Sequence, residues 1–461
     1  MISMTDRIKV MNPALRTITL CVSAFIVAGA LCIIALVASG LIPSYFITES
    51  ISRDSAWIEQ RGDYPVFFSE TPKYRYDGFT DGIMLMQAIP DDNLSAVENA
   101  VMAPYHAIGD GTPGGDGTGG ISPTQALLSL VADPDIEQQR DYVLYWHGYV
   151  VPLRILLTFM TPSTIIALQC VVFAVLSLLT FEVFRRTGGW SFALAFLVSL
   201  VATFAWITPL GFTHFTVFHL ALIATLALWW ILQSAKRHEW VVPLFLVVGL
   251  FTAFFDLLTI PLLTFLLPLS LYLLWLIKVR KESSLLKAIY AGVAWLAGYA
   301  GFWASKWAMT AIVYSAEYAN SEFAYALAMR SGTAGEGLGF RFAAIYNNLY
   351  QLFAAHPDGS LLMGEFFAIV AAVTVALVAI WWLMVKMSRT SFEQVKLALP
   401  MLLVALGPYV WYFVVAQHST FHSWFTWRLQ TASIVAVIFF VLLSIDWSNL
   451  LCKKPVKTRE K

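Results

Sequence analysis

The sequence predicts an all-α, polytopic helical membrane protein of about ten transmembrane helices, and three observations carry that prediction. First, 59% of the 461 residues are hydrophobic, 13% are charged, and mean hydropathy is +0.70; a soluble chain averages roughly 25% charged residues. A water-soluble enzyme is thereby excluded. Second, a hydrocarbon core of ~30 Å needs ~20 apolar residues per helical crossing, and ten such stretches can be read, near 16–42, 162–184, 190–208, 213–233, 240–256, 258–279, 287–313, 361–386, 396–416 and 428–447. Third, 19 of the 29 basic residues fall in short segments that alternate spans place on one side. By the positive-inside rule that side is cytoplasmic. The 29 acidic residues balance the 29 basic ones, so net charge gives no case for nucleic acid as a partner.

Taken in order, residues 1–15 form a cytoplasmic N-terminus, and 16–42 form the first span. That span is too long for a signal-peptide core, and Leu41, Ile42, Pro43 and Ser44 behind it make no small-residue cleavage site, so it should stay as an anchor. Residues 43–150 form an external loop, 151–313 hold spans two to seven, and 314–360 form a second external flap. Residues 361–447 hold the last three spans, and 448–461 form a basic cytoplasmic tail. The first loop contains helix-like pieces near 44–59, 78–89, 91–102 and 122–131, expected as short helices lying along the interface. Its glycine-rich run Gly109–Gly120 reads as a mobile loop, a substrate lid, or a Ca²⁺ loop using Asp110 and Asp116; the last fits no calcium spacing. Cys21, Cys32 and Cys170 lie in spans and Cys452 in the tail, so the loops carry no disulfide framework.

Chemistry is therefore sought on the loop side, where seven of the eight histidines map: His106, His147, His214, His219, His356, His418 and His422. Three constellations stand out. In Tyr74-Arg75-Tyr76-Asp77-Gly78-Phe79-Thr80-Asp81, a helix beginning near Gly78 puts Asp77 and Asp81 on one side, as a base and a metal or hydroxyl ligand. The same residues need no chemistry if Asp77 is an N-cap and Asp81 is favoured by the helix dipole. Asp54 is the rival base. The second is Tyr145-Trp146-His147-Gly148-Tyr149 with Arg154, a phosphate-sized cationic site or a snorkelling arginine. The third is His418-Ser419-Thr420-Phe421-His422 continuing to Arg428; it lacks the second-position glutamate of HExxH, so phosphate recognition is preferred over zinc. Asp256 and Lys306, at the outer ends of their spans, could pair, and His214 occupies a tight outer turn.

An N-in chain with a large acidic loop behind its first span, then many spans with short loops, resembles the GT-C class of membrane glycosyltransferases. The resemblance covers nearly the whole chain and rests on Asp77/Asp81, Tyr145–Arg154 and His418–Arg428. It implies a sugar donor on a polyprenyl phosphate or diphosphate, and a glycan, lipid or protein acceptor of the cell envelope. Asp81 or Asp77 would be the base; His147, Arg154, His418, His422, Arg428 and Lys306 would line the lipid-phosphate site. In that class the acidic pair is commonly adjacent or separated by one residue, whereas here three residues intervene. Asp54 therefore stays open as the base, and use of a divalent cation, Mg²⁺ or Mn²⁺, stays undecided. The expected location is the cell membrane, with both termini cytoplasmic and the active site on the outer face. The rivals are a flippase or transporter for a lipid-linked oligosaccharide, which would carry ionisable groups at mid-membrane depth and is weakened by the lack of internal repeats, and a glycan polymerase or ligase.

Overall fold

A computed structural model describes residues 12–66, 74–106, 122–133, 139–282, 285–332, 336–353 and 362–451. The chain is 82% helical, and among the described residues nine helices are long and apolar enough to cross a membrane. It is an all-α polytopic membrane protein. Gly109–Gly120, His356 and the basic tail beyond 451 lie outside the described residues.

The first span is α1, Pro13–Ser39, started by Pro13 and by the Asn12 side chain, which accepts from the Ala14 amide. The loop behind it builds α2 (Ser44–Ser52), α3 (Ser55–Arg61), α4 (Gly78–Ala88), α5 (Ala96–Met102), α6 (Pro123–Ala132) and α7 (Val150–Leu157). A two-residue antiparallel ladder joins Tyr105 and His106 to Arg140 and Gln139. There follow α8 (Pro162–Gly188), α9 (Trp190–Ala202), α10 (Phe212–Leu232), α11 (Val241–Phe255), α12 (Leu263–Trp275) and α13 (Leu285–Val313). The flap gives α14 (Ala316–Ser331) and α15 (Leu338–Phe353). The last spans are α16 (Met363–Met387), α17 with α18 (Phe392–Ala398, Pro400–Val414), and α21 (Gln430–Ser444). Two short turns, α19 (Ala416–Phe421) and α20 (Ser423–Thr426), precede α21, and α22 (Trp447–Leu451) follows it.

The expected span 190–208 is the one that departs from a simple helix: α9 stops at Ala202, Phe204 is left-handed (φ 49°), and Ala205–Leu210 is a 3₁₀ helix containing Pro209. Proline lacks an amide hydrogen and disfavours α geometry in the residue before it. The segment nevertheless returns the full length of α8. Gln169 near the start of α8 donates to Pro209 and Gly211 beside the start of α10, and Arg186 near the end of α8 lies over Trp229 near the end of α10. Those two helices are parallel, so the chain between them must travel back. Thirteen α residues and six 3₁₀ residues give ~32 Å, about one hydrocarbon thickness.

Contacts gather the short basic segments at one end of the bundle: Arg16 pairs with Glu239, Lys278 lies over Phe192, and Asn449 donates to the Ser388 carbonyl. The two long loops meet at the other end. Backbone-level packing holds the middle, because a Cβ on Gly249 would collide with the Trp295 carbonyl and one on Gly298 with that of Leu246. Only glycine lets α11 and α13 approach so closely. One expectation for the loop fails: α4 does not lie along an interface, since residues 81–88 are all buried. Its run Ile83-Met84-Leu85-Met86 is apolar all round, which suits a core helix.

Candidate functional site

Four aspartates of the first loop, Asp54, Asp63, Asp77 and Asp81, each accept from the amides at a helix N-terminus. Asp77 caps α4, accepting from the Thr80 amide at 3.0 Å and its hydroxyl at 2.7 Å. Asp81 caps a helix far along the chain: its Oδ1 accepts from the Phe212 and Thr213 amides, both at 2.9 Å, and from the Thr213 hydroxyl at 2.8 Å. Its Oδ2 meets Arg61 at 3.3 Å, and Arg61 is itself sandwiched against Trp57 and Tyr76 and donates to the Leu210 carbonyl. Asp54 accepts from the Ser163 amide at 2.7 Å at the start of α8, and Asp63 from the Thr124 amide at the start of α6. Asp81 is thus committed to four donors. Among the described residues the Asp77 carboxylate bonds only to Thr80, and burial, with smaller contributions from the Asp81 and Asp63 charges, pushes its pKa up to about 6. A small pocket of about 20 Å³, water-sized, is lined by Trp57, Arg61, Gly62, Gly78 and Asp81.

The second constellation is a packing network. His147, left-handed (φ 54°) and buried, donates from Nε2 to the Tyr142 carbonyl at 2.6 Å, and its Nδ1 lies 2.9 Å from the Tyr149 hydroxyl, which also meets Gln87. Arg154 is 2% exposed and spends its guanidinium on the last carbonyls of α4: Nε to Ala88 at 3.1 Å, a terminal nitrogen to Gln87 at 3.0 Å, and the other to the Ser39 hydroxyl at 3.3 Å. A cation at a helix C-terminus is favoured by the dipole and satisfies orphan carbonyls. Arg154 is filled by protein, with no nitrogen left for a phosphate. Arg154→Met should therefore lower the melting temperature of the purified protein, by an amount matching ~3–5 kcal/mol for breaking a buried charged network, while folded molecules keep their affinity for a polyprenyl phosphate. A folded, stable variant with lost affinity would restore Arg154 to the ligand site.

Asp256 and Lys306 are not partners. Asp256 accepts from the Thr259 amide and hydroxyl, closing the turn after α11, whereas Lys306 donates to the Val101 carbonyl and lies 5.3 Å from the Trp146 ring.

The third constellation is joined by groups the sequence left apart. His418 and His422 lie with ring centroids 4.7 Å apart, and His214, from the first turn of α10, packs edge-on to Phe425 at 4.8 Å and Trp424 at 6.1 Å. Arg428 donates to the Trp424 carbonyl and, with His422, acts electrostatically on His214. Asn348 of the flap splints this loop, donating to the Ser419 carbonyl at 2.8 Å and accepting from the Thr426 hydroxyl at 2.6 Å. Arg330, in the last turn of α14, donates to the Tyr145 hydroxyl over that ring and to the Ala326 carbonyl. It acts on both His418 and His422. Among the described residues Arg330 has no acidic partner. Among the described residues the buried Nε2 atoms of His214 and His418 and the Thr420 hydroxyl have no hydrogen-bond partner.

Charge and ring contacts tie Asp77 to this group: its charge acts on Tyr142 and Tyr64; Tyr142 packs on Tyr145, and Tyr64 stacks on Phe79 and meets Trp424 at 6.2 Å. These interactions link Asp77, Tyr64, Tyr142 and Tyr145 to His214, His418, His422, Arg428 and Arg330 in one polar cluster at the loop end of the bundle. His147, Arg154 and Lys306 belong to the packing behind it, and Asp54 holds the start of α8. Sequence reading missed Arg330, Tyr64, Tyr142 and Asn348; a lone arginine in the last turn of a helix is ordinarily explained by the dipole. Among the described residues no three His, Cys, Asp or Glu side chains form a metal-holding group.

Comparison with protein-family models, with curated proteins and with solved structures gave no match.

Proposed function

We propose that this protein is a membrane glycosyltransferase that moves a sugar from a polyprenyl-phosphate donor to an acceptor hydroxyl, working at the loop end of the bundle as in the GT-C class. The observation that carries this reading is the pairing, in one polar cluster, of a carboxyl whose pKa is raised to about 6 with cationic and imidazole groups. In the reaction the acceptor oxygen bonds to the anomeric carbon and the bond from that carbon to the phosphate oxygen breaks. The acceptor proton passes to Asp77, and the electron pair stays on the lipid phosphate. Arg330, Arg428 and the imidazoles of His214, His418 and His422 stand where that charge grows, and preorganised donors of this kind supply much of catalytic rate enhancement. The short basic segments at the opposite end of the bundle support a site on the outer face of a cell membrane under the positive-inside rule. The acceptor is a glycan, lipid or protein.

The reading is tested by equilibrium binding of a polyprenyl phosphate to the purified protein. Wild type should bind it, and His418→Ala should weaken binding about 10-fold, the scale of one charge-assisted contact of ~1.5 kcal/mol. Unchanged affinity in His418→Ala and His214→Ala alike would move the phosphate elsewhere.

A further inference from the structure

Among the described residues neither Asp256 nor Arg330 touches a group of opposite charge, and the same two tyrosines join them. The link begins in the backbone. The Gly148 amide donates to the Phe254 carbonyl at 2.7 Å, and a Cβ on Gly148 would collide with the Phe254 ring, so only glycine seats the segment Tyr145–Tyr149 directly on the end of α11. Asp256 follows that helix end. It is 4% exposed, and its Oδ1 takes both Thr259 donors, at 3.0 and 2.5 Å, which leaves Oδ2 buried with no hydrogen-bond partner among the described residues. A buried carboxylate left half satisfied needs a positive charge nearby. Arg330 supplies one. Its guanidinium lies 5.0 Å from the centre of the Tyr145 ring and donates to the Tyr145 hydroxyl, and an oxygen that accepts in this way keeps its own hydrogen to donate. The charges of Asp256 and Arg330 both act on Tyr145 and on Tyr299. The same turn reaches the imidazoles, since His418 interacts with the Leu258 backbone and with the Arg330 charge.

We infer that Asp256 is the counter-charge of Arg330, bridged to it by the Tyr145 hydroxyl, and that it weakens the hold of the cationic cluster on a phosphate so that the product lipid phosphate can leave. A cluster of arginines and imidazoles with no anion beside it would keep the phosphate it has just received. A carboxylate behind Arg330 repels that phosphate and draws on the same guanidinium. The pairing stands on the contacts alone; the release role rests on the glycosyltransferase reading above.

The test is a pair of double-mutant cycles on the full-length protein in lipid, built from Asp256→Asn and Arg330→Gln. Asparagine keeps an oxygen for the Thr259 donors and removes the charge. Burial pushes the Asp256 pKa up to about 7, so both cycles are run at about pH 8.5, where the carboxylate is ionised. In the first cycle, read as melting temperature, Asp256→Asn should be less favourable by about 2 °C with Arg330 present than in the Arg330→Gln background. In the second, read as equilibrium binding of polyprenyl phosphate, Asp256→Asn should bind about 10-fold tighter than wild type, and the gain should vanish in Arg330→Gln. A purely structural loss would weaken binding instead. Should Asp256→Asn fail to fold, Tyr145→Phe removes the bridge alone and takes its place with the same expected signs. Additive melting temperatures would overturn the pair. Coupled stabilities with unchanged or weaker binding would overturn the release role. Absence of binding in every protein, wild type included, would remove the glycosyltransferase reading and the release role together, while the first cycle still decides the pair.

Discussion

Asp77→Asn should cut sugar transfer by about 10²–10⁴-fold, the range a positioned general base supplies, while the protein remains folded. The reason for choosing Asp77 over Asp81 is geometric. Asp81 is held by two amides, a hydroxyl and Arg61, so protonating it would break the start of α10, whereas among the described residues the Asp77 carboxylate bonds only to Thr80. The two substitutions therefore separate. Removing the Asp81 carboxylate strands buried donors at ~1–3 kcal/mol each, and Asp81→Ala should melt early. Asp77 has the opposite sign. Its pKa is raised from 3.8 to about 6 on folding, chiefly by burial, so its ionisation costs stability: the contribution is fullest below pH 3.8 and is lost as pH rises through about 6. Asp77→Asn should thus be at least as stable as wild type at neutral pH. In wild type, kcat/KM should climb about tenfold per pH unit on the acid side and level off above about pH 6. Full activity in Asp77→Asn, or an acid limb that survives it, would remove Asp77 as the base.

Arg330→Gln should have the second-largest effect, lowering kcat about 10²–10³-fold, as the loss of one preorganised donor does. Glutamine stays polar but ends two heavy atoms short of the guanidinium nitrogens that reach the Tyr145 hydroxyl and the Ala326 carbonyl, so those contacts go with the charge; α14 keeps its backbone bonds and the fold should survive. Because that charge meets the phosphate as the bond breaks, the loss should fall on kcat more than on KM. An equal rise in KM with kcat unchanged would mean that Arg330 merely holds the ground state, and no kinetic change would make it a prop for the flap.

Much of the bundle was legible because the bilayer imposes one dominant rule, a long apolar run per crossing. The runs 162–184 and 213–233 became α8 and α10 nearly as read, and the short pieces near 44–59 and 122–131 became α2, α3 and α6. What sequence could not show was long-range pairing. Asp81 looked like a base or a dipole-favoured residue of its own helix, but its partners lie 131 and 132 residues away. Arg154 looked like a phosphate ligand because the carbonyls it binds belong to α4, 66 and 67 residues earlier. Asp256 and Lys306 looked complementary by depth, yet Lys306 donates to the Val101 carbonyl and Asp256 accepts through Oδ1 from the Thr259 amide and hydroxyl. His214 read as a turn residue, and only the fold brings it onto Trp424 and Phe425.

The central claim is best tested by turnover: purified protein in lipid is given a panel of polyprenyl-phosphate sugars, and free polyprenyl phosphate is followed by mass spectrometry beside Asp77→Asn. The account predicts release with at least one donor, lost in Asp77→Asn. No release from any donor, together with movement of a labelled lipid-linked glycan across the bilayer, would contradict it and make the protein a flippase.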